Sequence, residues 1–182
     1  GYADTNFVIP EVVRRLRFSE GASRAEQGDF AVAGTLQFDL GLDRPGLLAR
    51  LEGGSFGHAR GVAAFRPEGD ARTFVAVSAA REDGFGPRRA SGRVSALGQW
   101  GRGFGAFDLR LLGGASRAEF ETAGVVREAD VLSGRTDLFA ATDAFQSGRS
   151  DRVFLLAEGT RRHTSGDTVL TASAQRTSLA LQ

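Results

Sequence analysis

The stretch Phe18–Leu42, FSEGASRAEQGDFAVAGTLQFDLGL, decides the fold class. Its last part alternates apolar residues with polar or small ones, and the apolar positions are Leu36, Phe38, Leu40 and Leu42. This period of two is typical of a β-strand whose two faces meet different environments. A Gly-rich bend precedes the strand, and segments with the same period follow it along the chain. The sequence therefore predicts an all-β protein.

Composition excludes several classes of function. Cysteine is absent from the 182 residues, so disulfides and thiol chemistry are excluded. The net charge is only +1, which provides no global field for nucleic acid. No apolar run approaches the roughly 18 residues that a transmembrane helix needs. If the chain crosses a membrane, it must do so as part of a closed β-barrel.

Alternation and turn residues predict seven strands after the bend. We place them at about 47–52, 59–66, 72–81, 90–100, 107–111, 152–160 and 168–182. Short turns are predicted at 67–71, 99–103 and 162–167, whereas the connections at 82–89 and 113–150 are longer. The polar stretch 116–147 is long enough to suggest a functional loop.

Two features favour a membrane barrel over a soluble sandwich. Short and long connections alternate, as they do between the two sides of outer-membrane barrels. The face opposite the apolar one carries charged and polar residues in most strands, which suits a lumen better than a sandwich core. Tyr and Trp each occur once, so the aromatic girdle of such a barrel would consist of phenylalanines. The candidates near strand ends are Phe65, Phe74, Phe85, Phe104 and Phe107.

The order of motifs near the N-terminus resembles the end of the plug domain in TonB-dependent outer-membrane receptors. Ile9–Phe18, IPEVVRRLRF, resembles the family's Ile-Pro turn and short Arg-rich strand, and Gly21 its bend. Gln27–Phe38, QGDFAVAGTLQF, is similar to the small-residue segment that opens the last plug strand. Leu47–Gly57, ending GGSFG, resembles the first barrel strand and its outer turn, and Phe65–Gly69 the first periplasmic turn.

The resemblance implies both an architecture and a function. Residues 1–42 would form the C-terminal part of a plug, and residues 43–182 would form about seven strands of a larger antiparallel transmembrane β-barrel. The chain would be a fragment of a receptor in the bacterial outer membrane that imports a scarce nutrient, siderophore-like or another small ligand. Its implied partners are outer-membrane lipid, the ligand, and a TonB-type energy-coupling complex reached through a segment outside this chain. Neither catalysis nor a cofactor is expected.

Two other hypotheses remain open at this point. One is a small structural or adhesive outer-membrane barrel, complete at about eight strands; the other is a soluble β-sandwich that binds a ligand. Pairing between the first and last strands of the sheet would favour the small barrel. A second sheet packed on the apolar face would favour the sandwich. An N-terminal segment lying against the polar face would favour the plug.

Candidate functional residues are few. In the long loop, Arg127, Arg135 and Phe139 are the candidates for ligand binding, because outer loops over a barrel mouth commonly capture ligands. His58 and His163 are expected to be surface residues at opposite ends of the sheet, so no metal site is predicted.

Acidic residues near the bend suggest a contact between plug and wall. Glu20, Glu26 and Asp29 cluster there in the sequence, and we expect them to contact wall arginines such as Arg50 or Arg93.

Overall fold

A computed structural model describes residues 5, 7–21, 34–143 and 145–182. The chain is 62% strand and 5% helix, and its sheets are antiparallel. The prediction of an all-β antiparallel protein is therefore confirmed. The seven-stranded sheet is open and does not close into a barrel within the described residues.

The strands follow one another in the order predicted. In chain order the elements are a 3-10 turn (Pro10–Val12), β1 (Val13–Glu20), β2 (Gly34–Leu40), β3 (Gly46–Gly53), β4 (Ala59–Arg66), β5 (Phe74–Glu82), β6 (Ser91–Phe104), β7 (Phe107–Glu121), helix α1 (Glu128–Leu132), β8 (Ser147–His163) and β9 (Gly166–Leu181). β1 pairs with β2, and β3 to β9 form a seven-stranded meander in which neighbours in sequence are neighbours in space. Within the described residues, no helix is long and apolar enough to cross a membrane.

The long strands exceed their predicted lengths. β6 continues to Phe104, so the predicted turn at 99–103 is wrong and the tight turn lies at 105–106, where Gly105 has φ of 65°. β7 continues to Glu121 and β8 begins at Ser147, which reduces the long connection to 122–146. Sequence alternation missed these extensions because small and polar residues occupy both faces there.

Strand register gives the seven-stranded sheet two distinct faces. Residues that pair across strands point to the same side, so Val62, Ser78 and Ser95 share one face while Ala63, Val77 and Ala96 share the other. We call the first the inner face and the second the outer face. The two ends also differ: connections 54–58, 83–90 and 122–146 lie at one end, called the loop end, and the short turns 67–73, 105–106 and 164–165 lie at the other, called the turn end.

The N-terminal residues pack on the inner face. We call residues 7–21 and 34–42 the N-terminal unit. Its buried side chains join a cluster with residues of β4, β5 and β6; the members are Ile9, Val12, Leu42, Val62, Ala64, Phe74, Ala76 and Leu97. Burial of this apolar area favours the docked position of the unit.

The cluster corrects one detail of the sequence prediction. Phe74 is 3% exposed beneath the N-terminal unit, so it is not part of an outward aromatic girdle. Phe85 lies in the connection 83–90 at the loop end. By contrast, Phe65, Phe104 and Phe107 lie on the outer face near the turn end and are about half exposed.

The sheet has two free edges in the described chain. β3 pairs with β4 alone and β9 pairs with β8 alone. The side chains of β9 are exposed along its whole length. The outer face carries no second sheet among the described residues, since the described strands form only the β1–β2 pair and the seven-stranded meander.

Candidate functional site

Two connections meet at the loop end through an aromatic and cationic cluster. The rings of Phe85 and Phe139 pack edge to face with centroids 5.7 Å apart. The Arg89 guanidinium lies 5.1 Å from the centre of the Phe85 ring. Arg89 Nη1 also donates a hydrogen bond of 2.7 Å to the carbonyl oxygen of Phe139. The connections 83–90 and 122–146 are therefore held together by stacking and hydrogen bonding.

A second arginine fastens the same connection to the strand ends. Arg88 adopts a positive φ of 57°, an uncommon conformation for a residue with a side chain. Its guanidinium donates to the Glu121 carboxylate at the end of β7 and, at 3.3 Å, to the carbonyl oxygen of Gln146. Since Glu121 and Gln146 flank the long connection, Arg88 ties the base of that connection to the neighbouring loop.

The three residues predicted to bind ligand do not converge. Phe139 belongs to the aromatic cluster, whereas Arg127 occupies the N-cap position of α1, forms no side-chain capping hydrogen bond and is exposed. Arg135 is 70% exposed and forms an ion pair of 2.7 Å with Asp130 inside the same connection. In the described part of the chain, the hydrogen bonds, ion pairs and ring contacts do not link either arginine to Phe139. Their role in ligand binding remains a prediction.

A charged network joins the N-terminal unit to the sheet. Glu11, in the 3-10 turn, accepts two hydrogen bonds of 2.7 Å from the guanidinium of Arg60 on β4. Both side chains are largely buried, with 8% and 13% of their area exposed. Glu52 bridges Arg60 at 3.1 Å and Arg50 at 2.6 Å. A bidentate pair of this kind adds geometric specificity to the attraction of the two charges.

The network lowers the pKa of Glu11. The main cause is the hydrogen bond that Arg60 donates to its carboxylate, and the positive charges of Arg60 and Arg50 act in the same direction. Burial opposes the shift but is outweighed. Glu11 is therefore held ionised at neutral pH and serves as an anchor for the unit.

A carboxylate of the N-terminal unit does approach Arg50 on the sheet, but it belongs to Glu11, which was not among the predicted residues. Glu26 and Asp29 lie outside the described residues, and Glu20 ends β1 as an exposed residue. Arg50 is approached from the N-terminal unit by Glu11, at 4.0 Å. The prediction considered only the acidic residues near the bend. Glu11 could have been selected because it directly follows Ile9-Pro10, in the first turn, where an acidic side chain is favourable.

A cavity of about 530 Å³ lies between the N-terminal unit and the inner face. Pro10 and Phe38 line it from the unit, and Ser78 and Ser95 line it from the sheet. The hydroxyl of Ser95 is buried and has no hydrogen-bond partner within the described chain. No sequence pattern pointed to this space, because it depends on how the unit sits on the sheet.

The outer face carries a continuous uncharged band. Several of its large side chains, such as Leu47, Leu51 and Leu155, are more than half exposed. The band consists of Leu47, Ala49, Leu51, Ala63, Phe65, Val75, Val77, Ala79, Val94, Ala96, Gly98, Trp100, Leu109, Leu111, Gly113, Ala115, Val153, Leu155, Ala157, Gly159, Leu170, Ala172 and Ala174. An exposed apolar surface that spans seven strands marks a site of interaction with an apolar environment.

Charged residues border this band at the loop end, and the border is oblique. It lies at Arg81 on β5, at Arg117 on β7 and at Arg176 on β9. The position level with Arg81 on β7 is Glu119, and the position level with Arg117 on β9 is Ser178. The border therefore moves two residues towards the turn end for every two strands.

The opposite border shifts in the same direction. It lies at Arg102 on β6 and at Arg161 on β8. The position level with Arg102 on β8 is Gly159, two residues before Arg161. Aromatic rings accompany these arginines, since Arg102 lies 5.8 Å from the centre of Phe104 and Arg161 lies 5.3 Å from that of Phe107.

The two histidines are far apart along the strands. His58 lies in the connection between β3 and β4 at the loop end. His163 ends β8 at the turn end, where its ring contacts the Thr168 hydroxyl at 3.2 Å. Among the described residues, no group of three or more metal-ligating side chains comes together.

Comparisons with known proteins return no relative. A scan against protein-family models, a search of curated proteins and a search of solved structures each find no match to this chain. Function must therefore be argued from the faces, ends and contacts of the sheet.

Proposed function

We propose that this chain is part of a TonB-dependent outer-membrane receptor, with residues 1–42 as the end of its plug and residues 43–182 as the first strands of its barrel. Such a receptor imports a scarce small nutrient with energy from the inner membrane. The ligand would enter at the loop end, where the connections 83–90 and 122–146 form a joint surface.

One observation carries the proposal: the N-terminal unit and the uncharged band lie on opposite faces of the same sheet. The unit contacts the inner face through the buried cluster and the Glu11–Arg60 pair. A soluble protein would place its packed segment on the most apolar face available. Here the broad apolar face is left open, which suits a wall that meets lipid outside and a plug inside.

The oblique borders of the band support the same proposal. A shift of about one residue per strand, with about 3.3 Å per residue and about 4.8 Å between strands, corresponds to a tilt of about 35°. Strands of closed barrels tilt by roughly 35–45°. Tilted strands need such a shift if the band is to stay level in a membrane.

The height of the band fits a bilayer. On β8 the outward charges Asp151 and Arg161 enclose the band and lie ten residues apart. At about 3.3 Å per residue and a tilt of about 35°, this separation gives a height of about 27 Å. The apolar band of outer-membrane barrels is about 25 Å tall.

Ion conductance of the full-length protein in planar bilayers tests the proposal. The intact protein is expected to conduct little, because the N-terminal unit occupies the inner side of the wall. Deletion of the whole plug, through residue 42, is expected to open a pore of large, steady conductance. Deletion of 125–138 within the long connection is the matched control, since it shortens a loop but keeps the unit, and it is expected to stay closed.

Two results would contradict the proposal. Free conductance by the intact protein would show that no plug seals a lumen, and a closed state after deletion of the whole plug would show that no lumen exists. Binding of the full-length protein to a TonB-type coupling protein is the second measurement. If conductance demonstrates a barrel but the protein does not bind a coupling protein, the receptor proposal fails and the structural or adhesive barrel is favoured.

A further inference from the structure

We infer that the outer face holds a binding site for an anionic, phosphate-bearing lipid at the loop end of the band, an inference that rests on the proposed membrane location. The site is a groove of about 500 Å³ across β4, β5, β6 and β7. Its floor is made by small residues, among them Gly61, Ala79 and Gly92, and its rim carries Arg81 and Arg117.

The floor of the groove suits an acyl chain. Gly61 and Val94 are the cross-strand neighbours of Ala79, so the three residues form one shallow, uncharged row. The row continues into the band through Ala63, Val77 and Ala96 in the next register position. A chain lying in this depression would contact several strands at once and bury more apolar area than on a flat wall.

The rim of the groove suits a phosphate. Arg117 and Arg149 both hydrogen-bond to the Asp151 carboxylate through Nε, at 2.6 and 3.0 Å. Their terminal nitrogens donate no hydrogen bond to protein in the described chain, and Arg81 has no ion pair there. Arginine binds phosphate oxygens through such terminal nitrogens in a planar fork.

The charge balance of the rim remains positive. On the outer face at this end, four guanidiniums face three carboxylates, a net formal charge of +1; they are Arg81, Arg117, Arg149 and Arg176 against Glu119, Glu121 and Asp151. Arg88 of the connection 83–90 pairs with Glu121, which leaves the rest of this surface more positive. Glu119 lies on the rim and disfavours an anion close to β7. The phosphate is therefore placed towards Arg81, over β5 and β6, with Arg117 reaching it from the side.

Among the described residues, the turn end of the outer face shows no comparable groove between two arginines. Its outward arginines, Arg102 and Arg161, each lie beside an aromatic ring. The selectivity for anionic lipid is thus expected in one leaflet only, the leaflet at the loop end.

Lipid retention by the full-length protein tests the inference. The protein, reconstituted in nanodiscs of phosphatidylcholine with a minor fraction of phosphatidylglycerol, is extracted and its retained lipids are counted by native mass spectrometry. We expect enrichment of phosphatidylglycerol over its share in the disc. The double variant R81Q/R117Q is expected to reduce this enrichment about tenfold, since each basic residue near a charged surface contributes severalfold. R102Q, at the turn end, is the matched control and is expected to retain the enrichment.

Each outcome decides a different point. Equal retention of both lipids by an inserted protein, or unchanged enrichment in R81Q/R117Q, overturns the lipid site and leaves the membrane proposal intact. Displacement of phosphatidylglycerol by excess inorganic phosphate would show a simple anion site and overturns the assignment to lipid. A protein that does not enter nanodiscs at all overturns the membrane proposal and this site with it.

Discussion

Glu11 illustrates what a single side chain does at the boundary between the N-terminal unit and the sheet. It follows Pro10 in the first turn, where an acidic residue is favourable and proline is tolerated. The turn directs its carboxylate at Arg60 on β4, about fifty positions later in sequence. A local preference therefore places the group, and a distant strand provides its partner.

Replacing Glu11 by Gln is expected to weaken docking of the unit. The substitution removes the charge from a largely buried pair, a loss of about 2 kcal/mol for hydrogen bonds to charged groups. The amide of Val12, bonded to the carbonyl oxygen of Ile9, should then exchange with solvent hydrogen about 30-fold faster. D43N is the matched control, since Asp43 pairs with Arg14 but is 81% exposed. Equal effects of the two variants would assign no special role to Glu11.

Docking of the unit is expected to depend on pH through the same carboxylate. The pKa of Glu11 lies below its ordinary value of 4.5, mainly because Arg60 donates a hydrogen bond to it. A lowered pKa stabilises the docked state above the ordinary value and loses that contribution as the pH falls through the lowered one. Spin-label distances between the unit and β4 should therefore stay constant from neutral pH to about pH 5 and lengthen in stronger acid. A response of the same size in E11Q would attribute the change to other groups.

At the scale of elements, two cases show what the sequence could and could not predict: β4, and the parts of β7 and β8 nearest the loop end. β4 was predicted at 59–66 and is found at Ala59–Arg66, because Gly-rich and Pro-containing turns mark both of its ends. In Gly113–Glu121, small residues fall on both faces and the charged residues lie on the outward face, so the period of two carries no apolar signal. There the strand is maintained by its backbone pairing with β8, which is a non-local property.

The candidate site was predictable only in part, for the same reason. Phe139 was selected because it lies in a long polar connection. Its partners Phe85 and Arg89 belong to a different connection, and only the packing of β6 between β5 and β7 brings the two loops together. Arg127 and Arg135 were selected for lying in the same loop, but neither contacts the aromatic cluster among the described contacts.

Replacing Arg89 by Ala is expected to loosen the long connection. The change removes a hydrogen bond to the Phe139 carbonyl and a cation–π contact with Phe85, together about 1–2 kcal/mol. Limited proteolysis within 122–146 should become about tenfold faster. R135A is the matched control, since Arg135 pairs with Asp130 inside the connection and does not join the loops. Equal acceleration in both variants would count against a joint surface.

At the scale of the whole molecule, we expect the two faces of the sheet to differ in how well they accept a charged substitution. Ala172 and Ser173 are neighbours on β9, and both are exposed, but Ala172 lies within the outward band and Ser173 on the inner face. Their environments would be nearly equal in water. They differ strongly if one face meets lipid.

We expect Ala172→Arg to destabilise the protein in lipid by about 2–4 kcal/mol, the cost of a cation near the middle of a barrel's lipid-facing surface. Ser173→Arg should cost little, because inner positions accept charge. Folding of the full-length variants into phosphatidylcholine vesicles, followed by urea titration, measures both. A similar small effect at both positions would place the outward band in water.

The reach of the N-terminal cluster has a consequence for the order of events during folding. Every pairing in the meander joins strands adjacent in sequence, so each hairpin can form as soon as its second strand is available. The cluster under the unit is different, since it extends from Ile9 to Leu97 and needs β4, β5 and β6 together. The N-terminal unit therefore docks on the sheet late in folding, although it comes first in the sequence. Until β6 has joined β5, Ile9 and Val12 remain exposed, and this interval is when the unfinished protein is most prone to aggregate.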